Sequence, residues 1–186
     1  PFVNIAGGSP FESPEARDIA NLLRWLAEPG DDARFTALLL SPFFGAEADI
    51  LYGLRLAAGR HGSMARRFLD GGPSSEPGSG GSVEHIRETL HGLLKRRDHF
   101  SIRELLEHAF TETGYTAVVL ADPIRGEESL AVIDAILAAA DAYERTGGAL
   151  HGFAGLLDRG EFASDRGAAL ETREDALPII TIHKAK

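Results

Sequence analysis

The sequence predicts a mainly α domain. Apolar residues recur at helical spacing in successive stretches, start and stop signals bracket those stretches, and β-like runs are confined to the two ends.

Phe2, Val3, Asn4 and Ile5 read as a short strand, and Gly7-Gly8-Ser9-Pro10 as a turn. Ser13 then offers an N-cap, Pro14 the first helical position and Glu15 a first-turn acid. Ile19, Leu22, Leu23 and Leu26 follow on one face, and Pro29-Gly30 stops that helix. Asp31 or Asp32 caps a second helix carrying Phe35, Leu38 and Leu39, which Ser41-Pro42 ends. A third is expected over 46–58, with Ile50, Leu51, Leu54 and Leu56, and a shorter one over 64–69.

Residues 71–82, GGPSSEPGSGGS, hold no large apolar side chain and predict a flexible coil between two helical halves. Val83, Ile86, Leu90, Leu93 and Leu94 form the next apolar stripe. Ser101 and Glu104 spell a capping box, opening a helix with Ile102, Leu105, Leu106, Ala109 and Phe110 inward and Gly114 at its end. Val118, Val119 and Leu120 fit either a strand or a buried helix. An alanine-rich helix over 127–144 carries Leu130, Ile133, Ile136, Leu137 and Ala140, and another spans 149–157. Acidic, small-residue linkers lead to a last strand-like run, Ile179 to Ile182.

Composition narrows the function classes. Twenty-eight acidic against 19 basic residues give a net charge of −9, which argues against autonomous tight DNA binding, since phosphate contacts dominate such affinity. Basic residues cluster at Arg60, His61, Arg66 and Arg67 and at Lys95, Arg96, Arg97 and His99, where they read as solvated helix ends. The absence of cysteine excludes disulfides and thiolate metal sites and fits a reducing, cytoplasmic setting. No apolar run is long enough to span a bilayer, so no membrane partner is expected. Seven histidines invite a metal, but His85 and His91 are six apart, not a one-face spacing, and no HExxH occurs. Glu127-Glu128 and Asp31-Asp32 sit at helix starts, where the helix dipole accounts for them. The Gly/Ser stretch has no lysine and no GK[ST] ending, so it is no phosphate-binding loop. No nucleophile elbow is present either. The sequence therefore offers no self-contained active site, no metal ligands and no cofactor pocket.

The two ends carry a resemblance. Residues 177–186, LPIITIHKAK, resemble motif V of the UvrD/Rep-type superfamily-one DNA helicases, where a strand runs into a T-[IL]-H-[KS]-[AS]-K segment and continues as Gly-Leu-Glu. The wording is nearest the AddA and RecB-like branches. Residues 1–8, PFVNIAGG, resemble the family's IPYxxxGG strand and turn, with Phe11-Glu12 and Pro14-Glu15-Ala16-Arg17-Asp18 similar to its FFExPEVRD helix start. Asp31-Asp32, Phe35 and 40–45, LSPFFG, resemble DDxxF/L…LxSPFFG, and 107–115, EHAFTETGY, resemble LLExxLxxTGY. One phenylalanine stands at the first corner where the family usually has two. Phe43-Phe44-Gly45-Ala46 lacks the Gly-Ile-Gly turn that approaches duplex DNA in UvrD-like relatives, so Phe43 and Phe44 are expected in the core.

The resemblance implies the helical accessory subdomain 2B. Residues 1–10 would be strand and turn of the host motor domain 2A, 11–175 the 2B-like body with its loop 71–82, and 176–186 a 2A strand and partial motif V. An excised insertion would leave such strand-like segments at both ends. It implies a parent that hydrolyses ATP with Mg²⁺ while unwinding DNA in recombination or repair. The parent's partners would be DNA, the remaining motor domains of the same chain, and a nuclease domain or partner subunit. In that parent Thr181 and His183 would approach the single strand through phosphate or base, while the ATPase site would lie elsewhere and this stretch alone would be inactive. The other reading is a non-enzymatic helical module for protein–protein contacts.

Overall fold

The computed structural model describes residues 2–4, 10–71, 80–160 and 177–179; of the two strands, Pro10 and residues 80–82 only the backbone is described. A short 3-10 helix, Pro10–Glu12, leads into α1 (Pro14–Ala27). There follow α2 (Asp32–Leu40), α3 (Ala48–Ala58), α4 (Met64–Leu69), α5 (Gly80–Arg96), α6 (Ile102–Thr113), α7 (Tyr115–Leu120), α8 (Gly126–Arg145) and α9 (Leu150–Arg159). The body is mainly α, as the periodicities predict. Strands β1 (Phe2–Asn4) and β2 (Leu177–Ile179) pair in parallel, Val3 opposite Pro178.

Local signals set most boundaries. The Ser13 hydroxyl accepts from the Ala16 amide at 3.1 Å, and Pro14 needs no amide partner at the first helical position. Asp31, not Asp32, is the N-cap of α2, accepting from the Ala33 and Arg34 amides. Ser101 and Glu104 form the complete capping box, and Gly114 closes α6 at φ +67°, a left-handed conformation that a Cβ would disfavour. Three expectations shift. The third helix starts at Ala48 instead of 46, after an N-cap (Glu47) that makes no side-chain bond. The coil expected over 71–82 already turns helical at Gly80, while residues 72–79 lie outside the described residues. Val118, Val119 and Leu120 end α7, with Val118 and Leu120 about half exposed, so the segment is neither strand nor buried helix.

Helix α1 is the spine. It packs against α2, α8 and α9, and Ile19, Leu22, Leu23, Trp25 and Leu26 are fully buried. Trp25, Phe35 and Phe68 form a row of tilted rings from α1 through α2 to α4, with ring centres 5.7 and 5.5 Å apart. Each fully buried side chain of this size contributes about 1.5–3 kcal/mol. Helix α3 contributes only Leu54 to the buried core.

Candidate functional site

Two places in the fold draw distant parts of the sequence together. The first surrounds Tyr115. Its ring lies 4.0 Å from that of Phe43 and 5.5 Å from that of Phe110, all three nearly parallel and buried. The phenol donates to Asp18 Oδ2 at 3.2 Å. The turn after α2 presents Phe43: the Ser41 hydroxyl donates to the Leu38 carbonyl and receives the Phe43 amide, and the Gly45 amide bonds the Ser41 carbonyl. Phe43 is core, as expected, and Phe44 packs against the core half-buried.

Beside it, Glu15 is a buried carboxylate. Ser129 on α8 donates to it at 2.7 Å and Arg125 approaches at 3.4 Å. Burial alone would raise its pKa. The bonds from Ser129, its own backbone amide and Ser13, with the charge of Arg125, outweigh burial and hold the carboxyl below the usual range. Asp18 goes the other way: burial pushes it up to about 6, the nearby Glu15 charge adds to that, and the Tyr115 hydrogen bond only partly offsets it. Burial and the adjacent carboxylates push the Tyr115 phenol up as well. Thus the segments 14–18, 41–45 and 113–115, far apart in sequence, meet at one junction. The arrangement holds helices together and offers no nucleophile with a base.

The second place is the pole where the described body begins and ends. A Cβ built on Gly160, at the end of α9, would stand 3.3 Å from Glu12 Cγ, so α9 finishes against the 3-10 helix that precedes α1. A cleft of about 480 Å³ opens there, lined by Phe11, Arg17, Asn21, Arg34, Asp158 and neighbours. Arg34 grips Asp158 with both terminal nitrogens, at 3.0 and 2.8 Å, and also donates to Asn21 at 2.8 Å. Bidentate guanidinium–carboxylate pairs fix orientation as well as charge, and this one ties α2 to α9 across 124 residues.

Sequence reasoning missed a third link. Asp32 follows the N-cap of α2 but spends its carboxylate on α4: the Met64 and Ala65 amides and the Ser63 hydroxyl donate to it at 2.8–3.1 Å. Burial would raise its pKa, but these bonds and Arg55 hold it low. Nothing in the local sequence of Asp32 announces partners more than 30 residues away.

The sequence-nominated residues Thr181 and His183 lie outside the described residues. Of the basic clusters, Arg60, His61, Arg66 and Arg67 are exposed, while Arg97 donates to the Leu26 carbonyl and Arg96 lies over the Phe100 ring. His85 and His91 bond backbone carbonyls of Glu112 and Leu69. Among the described residues no group of histidines and acids is placed to hold a metal, and no helix is long and apolar enough to cross a membrane.

No protein-family model matches the chain. Curated relatives do. The A subunit of the ATP-dependent helicase/nuclease of Oceanobacillus iheyensis is 30% identical over 185 residues, 95% of this chain and 14% of that protein. Proteins of the same name from Bacillus mycoides and Bacillus cereus are 30% identical over 201 aligned positions, covering all of this chain and 15% of each relative. The chain thus spans about one seventh of the length of the curated relatives it matches.

Proposed function

Since the chain belongs to the UvrD/Rep-type DNA helicases, on the AddA branch of helicase/nucleases, we propose that it is the inserted accessory subdomain of an ATP-dependent DNA helicase. The observation that carries this reading is the meeting of the body's two ends: Gly160 abuts Glu12, and β1 pairs with β2. An inserted domain needs neighbouring termini, because both connections return to one host. Strands about 4.8 Å apart are compatible with both returning to one host sheet. On this reading residues 1–10 and 176–186 are pieces of the host motor domain, and 11–175 is the accessory body.

ATP and Mg²⁺ then belong to the parent's motor, whose phosphate loop lies outside this stretch. Its partners are DNA, the other motor domains, and a nuclease domain or second polypeptide. Thr181 would bond a phosphate oxygen of the single strand and His183 a phosphate or base, coupling strand contact to ATP turnover. The body itself serves as a rigid arm, since its interior is aliphatic and aromatic packing with ion pairs between helices. Duplex contact by its 43–46 turn is not part of the proposal, because Phe43 is committed to Tyr115.

The reading frame around this stretch decides the matter. A GxGKT phosphate loop upstream and Gly-Leu-Glu directly after Lys186 are expected, and the absence of either overturns the assignment. In the full-length parent, His183→Ala should lower DNA-stimulated ATP hydrolysis far more than nucleotide binding. Normal DNA coupling in that variant would remove His183 from the strand-contacting set.

A further inference from the structure

The turn between α7 and α8 displays an apolar side chain that the body does not use. Ile124 is 90% exposed, and Val118 and Leu120, within the preceding six residues, are 52% and 48% exposed. Isolated exposed apolar residues are ordinary; this one sits on a turn built to hold it out. Asp122 Oδ1 accepts from the amides of Ile124 and Arg125 at 2.8 and 3.0 Å, and the Gly126 amide donates to the Asp122 carbonyl at 2.9 Å. Pro123 fixes the backbone between them. Gly126 folds back so closely that a Cβ there would lie 2.7 Å from the Leu120 carbonyl oxygen. Those two amides hold the Asp122 carboxyl below its usual range, so the fastening persists at neutral pH.

The turn is also located. Arg125 and Ser129 both reach Glu15, the second residue of α1, and α8 packs on the 3-10 helix Pro10–Glu12. Ile124 therefore stands at the pole where the chain enters the body. The relatives are about seven times as long as this chain, so in proteins of this design most of the polypeptide attaches at that pole.

We infer that the turn 121–125, with Ile124 as its apex and the half-exposed Val118 and Leu120 preceding it, docks into an apolar pocket on the remainder of the parent polypeptide. A rigid apolar side chain loses little freedom on docking, which is what makes such a residue an effective anchor. This inference rests on the inserted-subdomain reading.

Cysteine labelling in the full-length protein tests it. This chain contains no cysteine, so Ile124→Cys and Tyr52→Cys each introduce one thiol into it, read by mass spectrometry of the peptide concerned. Tyr52, on α3, is 67% exposed and serves as the exposed reference. Each maleimide labelling rate is normalised to that of the unfolded protein. Ile124→Cys should label at least tenfold more slowly than Tyr52→Cys. Equal rates overturn the inference, and so does slowing that requires an added second polypeptide or rises with protein concentration, since the occupant is then another chain. The reading frame decides the underlying assignment separately: motor motifs present with equal labelling rates defeat only the docking, whereas their absence defeats both.

Discussion

The junction around Tyr115 and the helix α3 both look apolar in the sequence, yet the fold treats them differently. Tyr115, Phe43 and Phe110 are enclosed by α1, α6 and the turn after α2, and even the polar atoms there, on Asp18 and Glu15, are partnered. Helix α3 has Ile50, Leu51, Tyr52, Leu54 and Leu56, but only Leu54 is buried; Tyr52 and Leu56 are about two thirds exposed. Ile50, Leu51 and Ala58 only border the core, partly buried, while Arg55 donates to the Gly59 and Gly62 carbonyls that follow the helix and lies 3.9 Å from Asp32. An apolar stripe therefore predicts a helix in both places but not how much of it is enclosed, because enclosure depends on elements distant in the chain.

The largest effect expected follows from that contrast. Tyr115→Ala removes a fully buried ring that stacks on two others and leaves Asp18 without its donor. A loss of about 3–5 kcal/mol is expected in urea unfolding. A loss below about 1 kcal/mol would show that the junction collapses around the gap and is not the organising contact.

Asp32 comes next. Asp32→Ala withdraws three hydrogen bonds from the start of α4, with an expected cost of about 1–2 kcal/mol, close to that of a lost helix cap. Hydrogen exchange should speed selectively at residues 64–69. Because the folded carboxyl is held below 3.8, this stabilisation is present above that value and disappears as pH falls through the lower folded one. Uniform loosening of the whole body, rather than of α4, would break the idea that polar tethers act locally on this side of the molecule.

What could be read from the sequence divides along the same line. Ser13, Asp31 and the Ser101–Glu104 box were legible because a cap and its partners lie within three residues. Glu15 reads as a first-turn acid, which it is, but its partnership with Ser129 and Arg125 crosses about 110 residues and leaves no local trace. The Arg34–Asp158 pair is invisible for the same reason. Val118 to Leu120 misled because β-branched, apolar residues suit a strand, while here they end a short helix that is half exposed. Of the candidate site, Tyr115, Asp18 and Phe43 stood in the motifs of the resemblance, but their mutual contact required the fold. Thr181 and His183 came from resemblance alone.

A smaller and pH-dependent effect is expected at Asp18. Its folded pKa is about 6, against an ordinary value of 3.8, so the acid form is favoured by the fold. The associated stability is full below the ordinary value and is lost as pH rises through about 6. At about pH 7.5 the ionised carboxylate is thus a liability, and Asp18→Asn, which keeps an acceptor for Tyr115, should stabilise by about 1 kcal/mol after allowing for partial exposure. The gain should vanish below about pH 4. A variant that is destabilised equally at both pH values would mean that the carboxylate, not merely an acceptor, is needed at the junction.

The smallest effect is expected on α3. Tyr52→Ser with Leu56→Ser removes two apolar side chains that are 67% and 64% exposed, so only about a third of each leaves water on folding. The two lie one helical turn apart and lose a modest side-chain pairing, worth about 0.2–0.5 kcal/mol. Against that, serine is only slightly poorer than tyrosine or leucine as a helix former. The double variant should therefore unfold within about 0.5 kcal/mol of the parent chain, the range of ordinary surface changes. A loss above about 1.5 kcal/mol would place these side chains in contact with something that the exposed face of α3 lacks here, and the contrast between the enclosed junction and helix α3 would no longer hold.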